Sequence, residues 1–327
     1  GATAATDATT IEAGAYTITS ALTTDNEITL GNGANSIKLA SVNASKNALN
    51  IMMGAATATA VQTFEVTGNM ASTNVSTGSG NDTVTIGGSV TNSFLNMVDG
   101  DDTTTIGKTV KNLNYIGGAG KDDIAIGGAV SDSEFTLGDG DSTFTVKNGA
   151  GAVQSMTNTN ITSGTGAVTL TAGAFAAGPD RGDITLGNGA NTVNLASITG
   201  HKAYGNVKMT MGGIATEGGT TSTLAQTLNV AGAIKGLDYI GSDGVDTIKI
   251  IGSVTDATFK LGEGADVFAA EAEDKKTPGV FHGSAMSNVD LLGDGGDKTV
   301  TYGILKPRAL QNTIELGAGN HTINIKA

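Results

Sequence analysis

Apolar and polar residues alternate in short runs along this chain, and the runs return with a fixed period of 20. Val84 and Ile86, Thr104 and Ile106, Ile124 and Ile126, and Phe144 and Val146 occupy the same two places after Gly80, Gly100, Gly120 and Gly140. Alternation of this kind describes a strand with one buried face, and a glycine before each run marks the turn that leads into it. The turn returns at Gly244 and Gly264, and singly at Gly33, Gly189, Gly295 and Gly319. A second punctuation stands at a constant offset ahead of the next turn glycine, as Gly68 does of Gly80, and it recurs at Gly88, Gly128, Gly232 and Gly252, with Lys108 in one coil. Val90, Val110, Val130, Ile234 and Val254 follow it, and then Leu95, Tyr115, Phe135, Tyr239 and Phe259, which are expected to line the opposite wall.

Fixed periods of this length belong to solenoids, in which each coil buries its apolar face only against its neighbours. The pattern therefore predicts an all-β chain, a parallel β-solenoid (β-helix or β-roll) of about 20-residue coils with two corners per coil. About 16 coils at about 4.8 Å each would make a rod on the order of 80 Å. A longer duplication overlies the short period: EITLGNGANSIKLASV at 27–42 returns as DITLGNGANTVNLASI at 183–198, and Gln62–Val66 returns as Gln226–Val230. One continuous solenoid over 1–327 is expected, built from two duplicated halves of about 1–150 and 151–327. The rhythm weakens at 147–183 and at 270–290, where charge and a proline predict a loop.

Composition narrows the function. Aromatic residues make up only 4% of the chain, tryptophan is absent and 49 residues are glycine, which suits thin stacked strands better than a spherical core. The net charge of −13 disfavours nucleic acid, whose binders present basic patches. There is no cysteine, so neither disulfides nor thiolate metal sites are available. No apolar run is long enough to span a bilayer, and a transmembrane protein is not expected.

Acids set in glycine turns suit hard divalent cations, which take oxygen ligands from carboxylates and backbone carbonyls. Gly117–Ala125, GGAGKDDIA, is a complete G-G-x-G-x-D-x-U-x nonapeptide, and 77–85 and 97–105 keep its second half. On these residues the chain resembles the repeats-in-toxin (RTX) proteins. The resemblance implies calcium between the turns of successive coils, held by Asp82, Asp102 and Asp122, and in the second half by Asp246 and Asp266. Asn35, Asn191, Ser142 and His321 stand at the aspartate position of other turns and are expected to be ion-free, while Asp297 keeps the acid without a neighbour one period away. The family places two motif turns in each coil, whereas this chain has one, so one edge alone would hold ions.

No nucleophile, metal-hydrolase or nucleotide motif occurs, and His201, His282 and His321 lie far apart in the repeat. A polysaccharide-modifying β-helix enzyme would have to draw on Asp180, Arg181 and Asp183, in a stretch that reads equally well as a turn. The Ala/Thr-rich start and the repeat strand at 321–327 show no capping helix, which reads either as open ends of stacked strands able to pair with further chains or as the ends of a fragment whose caps have been removed. In style the chain is similar to bacterial surface-layer proteins and extracellular filament subunits. The expectation is therefore a secreted, non-enzymatic structural protein that self-assembles into a filament or surface layer, with calcium in some turns and cell-surface polysaccharide as a candidate partner. An adhesin stalk is the alternative.

Overall fold

The computed structural model describes residues 10–18, 26–44, 48–180, 182–212, 222–273, 281–303 and 312–326. Among them are 31 strands and no helix, and the chain divides into two compact units, Gly1–Gln154 and Ser155–Ala327. Each unit is a β-solenoid whose coils pair in parallel.

In the first unit one wall climbs from Thr10 through Ser36, Thr63, Thr83, Thr103 and Asp123 to Thr143. The facing wall stacks Ile28, Ile51, Val75, Leu95, Tyr115 and Phe135 in register. In the second unit the equivalent first wall runs from Thr169 through Thr192, Thr227, Thr247, Val267 and Thr299 to Thr322.

The steps from Thr63 to Thr143 and from Thr227 to Val267 keep the expected period. Elsewhere insertions lengthen the coil, most of all between Thr192 and Thr227. The average is about 23 residues per turn, and the turns number about 12, fewer than the period alone would give. One insertion begins at 270–290: the strand Val267–Glu273 runs past the wall and Phe281–Gly283 returns antiparallel to it.

The expected inward positions are buried. Val84, Ile86, Ile106, Ile124, Ile126, Phe144 and Val146 are at most 2% exposed, as are Leu95, Tyr115 and Phe135 on the facing wall. The few aromatics gather in matching stacks. Phe135 lies 6.0 Å from Tyr115 and 4.5 Å from Phe144 in the first unit, and Phe259 lies 6.1 Å from Tyr239 and 5.0 Å from Phe268 in the second.

Each regular coil also has a bend that the glycine rhythm does not announce. Ser72, Asn92, Asn112 and Asp132 adopt left-handed backbone at φ between 49° and 53°, and Asp256 and Asn288 do so in the second unit. Asn and Asp tolerate this conformation and bond locally. They also form a ladder: Asn112 Nδ2 donates to Asn92 Oδ1 at 2.9 Å, and Asn288 Nδ2 to Asp256 Oδ1 at 2.8 Å. Besides the two expected corners, then, a coil carries a left-handed residue after the second corner, where asparagine, aspartate or serine does what glycine does elsewhere.

At the glycine turns the constraint is close approach as well as φ. Gly118 has φ +95°, and a Cβ built there would lie 1.2 Å from the Val98 carbonyl oxygen of the preceding coil. Gly118→Ala is therefore expected to abolish cooperative folding of the first unit, whereas Gly149→Ala, with nothing within 4 Å of the added carbon, should change stability by less than about 0.5 kcal/mol in chemical denaturation.

Candidate functional site

The residue two places after the turn glycine points into the coil, and in successive coils these inner turn residues form a polar column through an otherwise apolar interior. In the first unit the column is Asn35, Gln62, Asp82, Asp102, Asp122 and Ser142, and none is more than 3% exposed. In the second it is Asn191, Gln226, Asp246, Asp266, Lys298 and the half-buried His321. Buried polar groups must find partners inside the coil. Here the backbone N–H groups of the first three rungs donate to the side chain one coil further on: Asn35 N to Gln62 Oε1 at 3.1 Å, Gln62 N to Asp82 Oδ1 at 2.7 Å, and Asp82 N to Asp102 Oδ1 at 2.6 Å. Asn191, Gln226 and Asp246 repeat the pattern, with bonds of 3.2, 3.2 and 2.8 Å to Gln226, Asp246 and Asp266.

The side chains also face the carbonyls of the tight turn, those two and four residues before the inner residue. Where the side chain is a donor, it satisfies them. Asn35 Nδ2 donates to Gly31 O at 2.7 Å and Gly33 O at 2.8 Å; Asn191 Nδ2 donates to Gly187 O at 2.9 Å and Gly189 O at 3.0 Å. Gln62 Nε2 reaches Ala60 O and Gly33 O, and Gln226 Nε2 reaches Leu224 O and Gly189 O. His321 accepts the Lys298 N–H at Nδ1 and places Nε2 3.2 Å from Gly317 O.

An ionised aspartate cannot do this, because it only accepts. The five sequence-predicted aspartates all occupy the column, and they differ in how far their oxygens are satisfied. Asp82 Oδ2, Asp102 Oδ2 and both oxygens of Asp122 are buried without a well-aligned hydrogen bond, although the Thr77 hydroxyl lies near the Asp82 carboxylate and the Asp102 N–H near that of Asp122. The Tyr115 and Thr104 hydroxyls are buried beside one another, in a contact too poorly aligned to count as a good hydrogen bond, and neither finds another partner. The Asp122 carboxylate occupies the space where a Cβ on Gly117 would stand, which gives the leading glycines of the complete nonapeptide a steric role. Asp246, by contrast, accepts the Ser242 N–H and hydroxyl, both at 2.8 Å, besides the Gln226 N–H. Asp266 lies 2.7 Å from the Lys298 ammonium, close enough for an ion pair though off the hydrogen-bond direction.

Burial dominates the titration of these carboxyls. It pushes Asp102 up to about 8, with Asp122 and Asp82 adding repulsion, and Asp122 up to about 7, with Asp101 and Asp123 adding theirs. Desolvation also raises Asp82, Asp246 and Asp266, the last against the opposing pull of Lys298. The Tyr115 hydroxyl is driven up by burial first and then by the charges of Asp122 and Asp102.

A cation fits the first unit's column on chemical grounds, since the unpartnered oxygens are hard donors of the kind calcium takes. Among the described residues no three acidic or histidine side chains gather closely enough to hold a metal unaided. An ion at Asp82, Asp102 and Asp122 would therefore draw on turn carbonyls as well. Gln62, Gln226 and Lys298 are the column members that the glycine rhythm did not reveal. Asp297, expected at the aspartate position, instead lies outside, where its Oδ1 accepts the Asn320 N–H; Gly-Asp-Gly-Gly-Asp offers two glycine registers, and the coil takes the one that turns Lys298 inward.

The other sequence candidates do not converge. Asp180 and Asp183 are exposed, Arg181 lies outside the described residues, and His201 stacks on Tyr204 at 4.4 Å. Compared with known proteins, the chain matches no family model, no curated protein and no solved structure.

The folded-state pKa values of Asp102 and Asp122 lie above their ordinary value of 3.8, so the folded protein holds these protons longer than the unfolded chain. Their contribution is complete below that value and is lost as pH rises from about 4 through about 8. In chelator, the denaturation midpoint should fall over this window. Asp122→Asn supplies an amide like that of Asn35, and at pH 8 in chelator it should raise stability by about 1–2 kcal/mol in denaturant titration.

Proposed function

We propose that this chain is a structural protein of the extracellular space or cell surface, that it self-associates into a filament or layer, and that calcium occupies acidic turns of its first unit. The observation that carries the reading is the column of buried, unpartnered carboxylate oxygens at Asp82, Asp102 and Asp122, beside turns whose carbonyls meet a donor wherever the inner residue is Asn, Gln, Lys or His. A bound divalent ion answers the acceptors on both sides at once. Asp122 belongs to the complete nonapeptide, and this supports kinship with the RTX type of turn.

A scaffold role fits the way the chain uses its chemistry. The polar groups that its sequence singles out hold one coil to the next, and the walls present Thr, Ser, Asn and Lys at alternating outward positions, as in Thr83–Ile86 and Thr103–Ile106. A net charge of −13 and the absence of cysteine fit an oxidising and calcium-rich exterior. Millimolar calcium there would fill sites of modest affinity that cytosolic calcium would leave empty.

Negative-stain electron microscopy of the chain with calcium and with chelator, alongside calcium titration calorimetry, tests both parts. Ordered filaments or sheets that dissolve on chelation are the expected result. Assemblies indifferent to chelator, with no heat of calcium binding, would remove the metal from the reading. Monomers under both conditions would overturn self-association.

A further inference from the structure

In the second unit the place corresponding to the acidic seat is filled by the chain itself. The wall pairs Val267 with Thr299, which puts Lys298 directly above Asp266, just as the pairing of Asp123 with Thr143 puts Ser142 above Asp122. The Lys298 side chain is fully buried, and Lys298 is the one buried lysine among the described residues. Its Nζ donates to Gly262 O at 3.0 Å, to Gly264 O at 2.8 Å and to Gly295 O, and it lies 2.7 Å from Asp266 Oδ2. Gly262 and Gly264 stand four and two residues before Asp266, the places whose carbonyls Asn35 and Asn191 serve in their own turns. Three carbonyls and one carboxylate around a single positive charge form an oxygen cage of the kind a hard cation takes.

The surrounding sequence is shaped to admit it. A Cβ on Gly293 would lie 2.7 Å from Lys298 Cε, so a glycine there leaves room for the lysine stem, whereas the equivalent residue before Ser142 is the buried Leu137. Asp246, one coil earlier, is satisfied by Ser242.

We propose that Lys298 is a tethered cation: its ammonium takes the seat that a calcium ion would take in an acidic turn, so the Asp246 and Asp266 turns are closed to metal and the second unit holds together without it. This rests on reading the inner turn as a cation seat, and it divides the chain into an ion-dependent first unit and an ion-independent second one. It also withdraws Asp246 and Asp266 from the set of calcium ligands that the repeat suggested.

The test is hydrogen exchange on the full chain in EGTA and in calcium chloride, read at the second-unit strands Thr247–Ile251, Val267–Glu273 and Thr299–Tyr302. In the wild type, exchange there should be equally slow in both. Lys298→Ala, which strands a buried carboxylate and opens space, should exchange at least about a hundredfold faster in EGTA and be slowed again by calcium chloride. Lys298→Met, which fills the space without charge, should be fast in both. Exchange in Lys298→Ala as slow as wild type in EGTA, or fast and indifferent to calcium, would overturn the proposal.

Should the Lys298 variants not fold, the reciprocal change serves. Leu137→Gly combined with Ser142→Lys should slow exchange of Thr103–Ile106 and Asp123–Ile126 in EGTA, and no slowing would overturn the idea. A wild-type first unit that ignores calcium would sink the calcium reading alone, since the response of the Lys298→Ala seat is measured separately.

Discussion

Everything distinctive in this protein follows from the inside of one turn. A solenoid coil that reverses within a few residues, with glycine at its tightest point, brings turn carbonyls toward the interior, and the coils stacked on either side leave water no room to reach them. Gly118 against Val98 O and Gly138 against Gly118 O show how closely the turn backbones of successive coils approach. Buried acceptors without donors are among the costliest features a fold can carry. The inner turn residue is the place where that cost is met, and the chain meets it in several chemically distinct ways: a primary amide at Asn35, Gln62, Asn191 and Gln226, a hydroxyl at Ser142, an ammonium at Lys298, an imidazole at His321, and a carboxyl group at Asp82, Asp102, Asp122, Asp246 and Asp266.

The two units solve the problem in the same order before they part. Asn, Gln, Asp, Asp occupies successive rungs in each, at 35, 62, 82 and 102 and again at 191, 226, 246 and 266, although the coils between them differ in length. The Gln–Asn pair is reproduced bond for bond, with Asn Nδ2 donating to Gln Oε1 at 2.9 Å in both. Divergence begins at the fifth rung, where Asp122 and Ser142 stand in one unit and Lys298 and His321 in the other. A duplicated interior has thus kept its neutral donors and, at the fifth rung, holds an aspartate in one unit and a lysine in the other. The insertions that lengthen the second unit's coils leave the column in register, because the inner residue is fixed by wall pairing and not by the length of the intervening loop.

How much of this the sequence disclosed depends on which residues carried the signal. The strands, their inward faces and the solenoid itself were legible because a short fixed period with alternation inside it has few other physical meanings. The bend at Asn92, Asn112 and Asp256 was not, since asparagine and aspartate are common in any loop and only the backbone reveals their left-handed φ. Gln62 and Gln226 escaped because Ala60 and Leu224 stand where the turn glycine does elsewhere; the matched QTFEV and QTLNV segments held the clue, and it was read only as duplication. Lys298 was missed through a one-residue ambiguity in Gly-Asp-Gly-Gly-Asp, and register is decided by wall packing, where a slip of one turns every side chain to the other face. The aspartates were found as a set, but a motif spacing cannot tell a carboxylate bonded to Ser242 from one with both oxygens bare.

That distinction has a consequence for how the protein senses its surroundings. An amide carries its hydrogens into the fold, so turns built on Asn or Gln need no proton or ion from solution. Among the carboxylate turns, Asp246 and Asp266 find partners within the chain, whereas those of Asp82, Asp102 and Asp122 are completed by something from solution, either a proton or a metal ion. Asp102 and Asp122, pushed by burial to about 8 and about 7, sit where these two compete at ordinary pH. On the proposed reading, a calcium ion entering the column must displace protons, so its apparent affinity rises with pH while the ion-free coils weaken. The two trends oppose each other, and a calcium-rich exterior near or above neutral pH is the condition under which the ion-bound form gains most over the ion-free one. The acidic turns, and not the apolar walls that give the solenoid most of its stability, are then the part of the molecule that couples its rigidity to place.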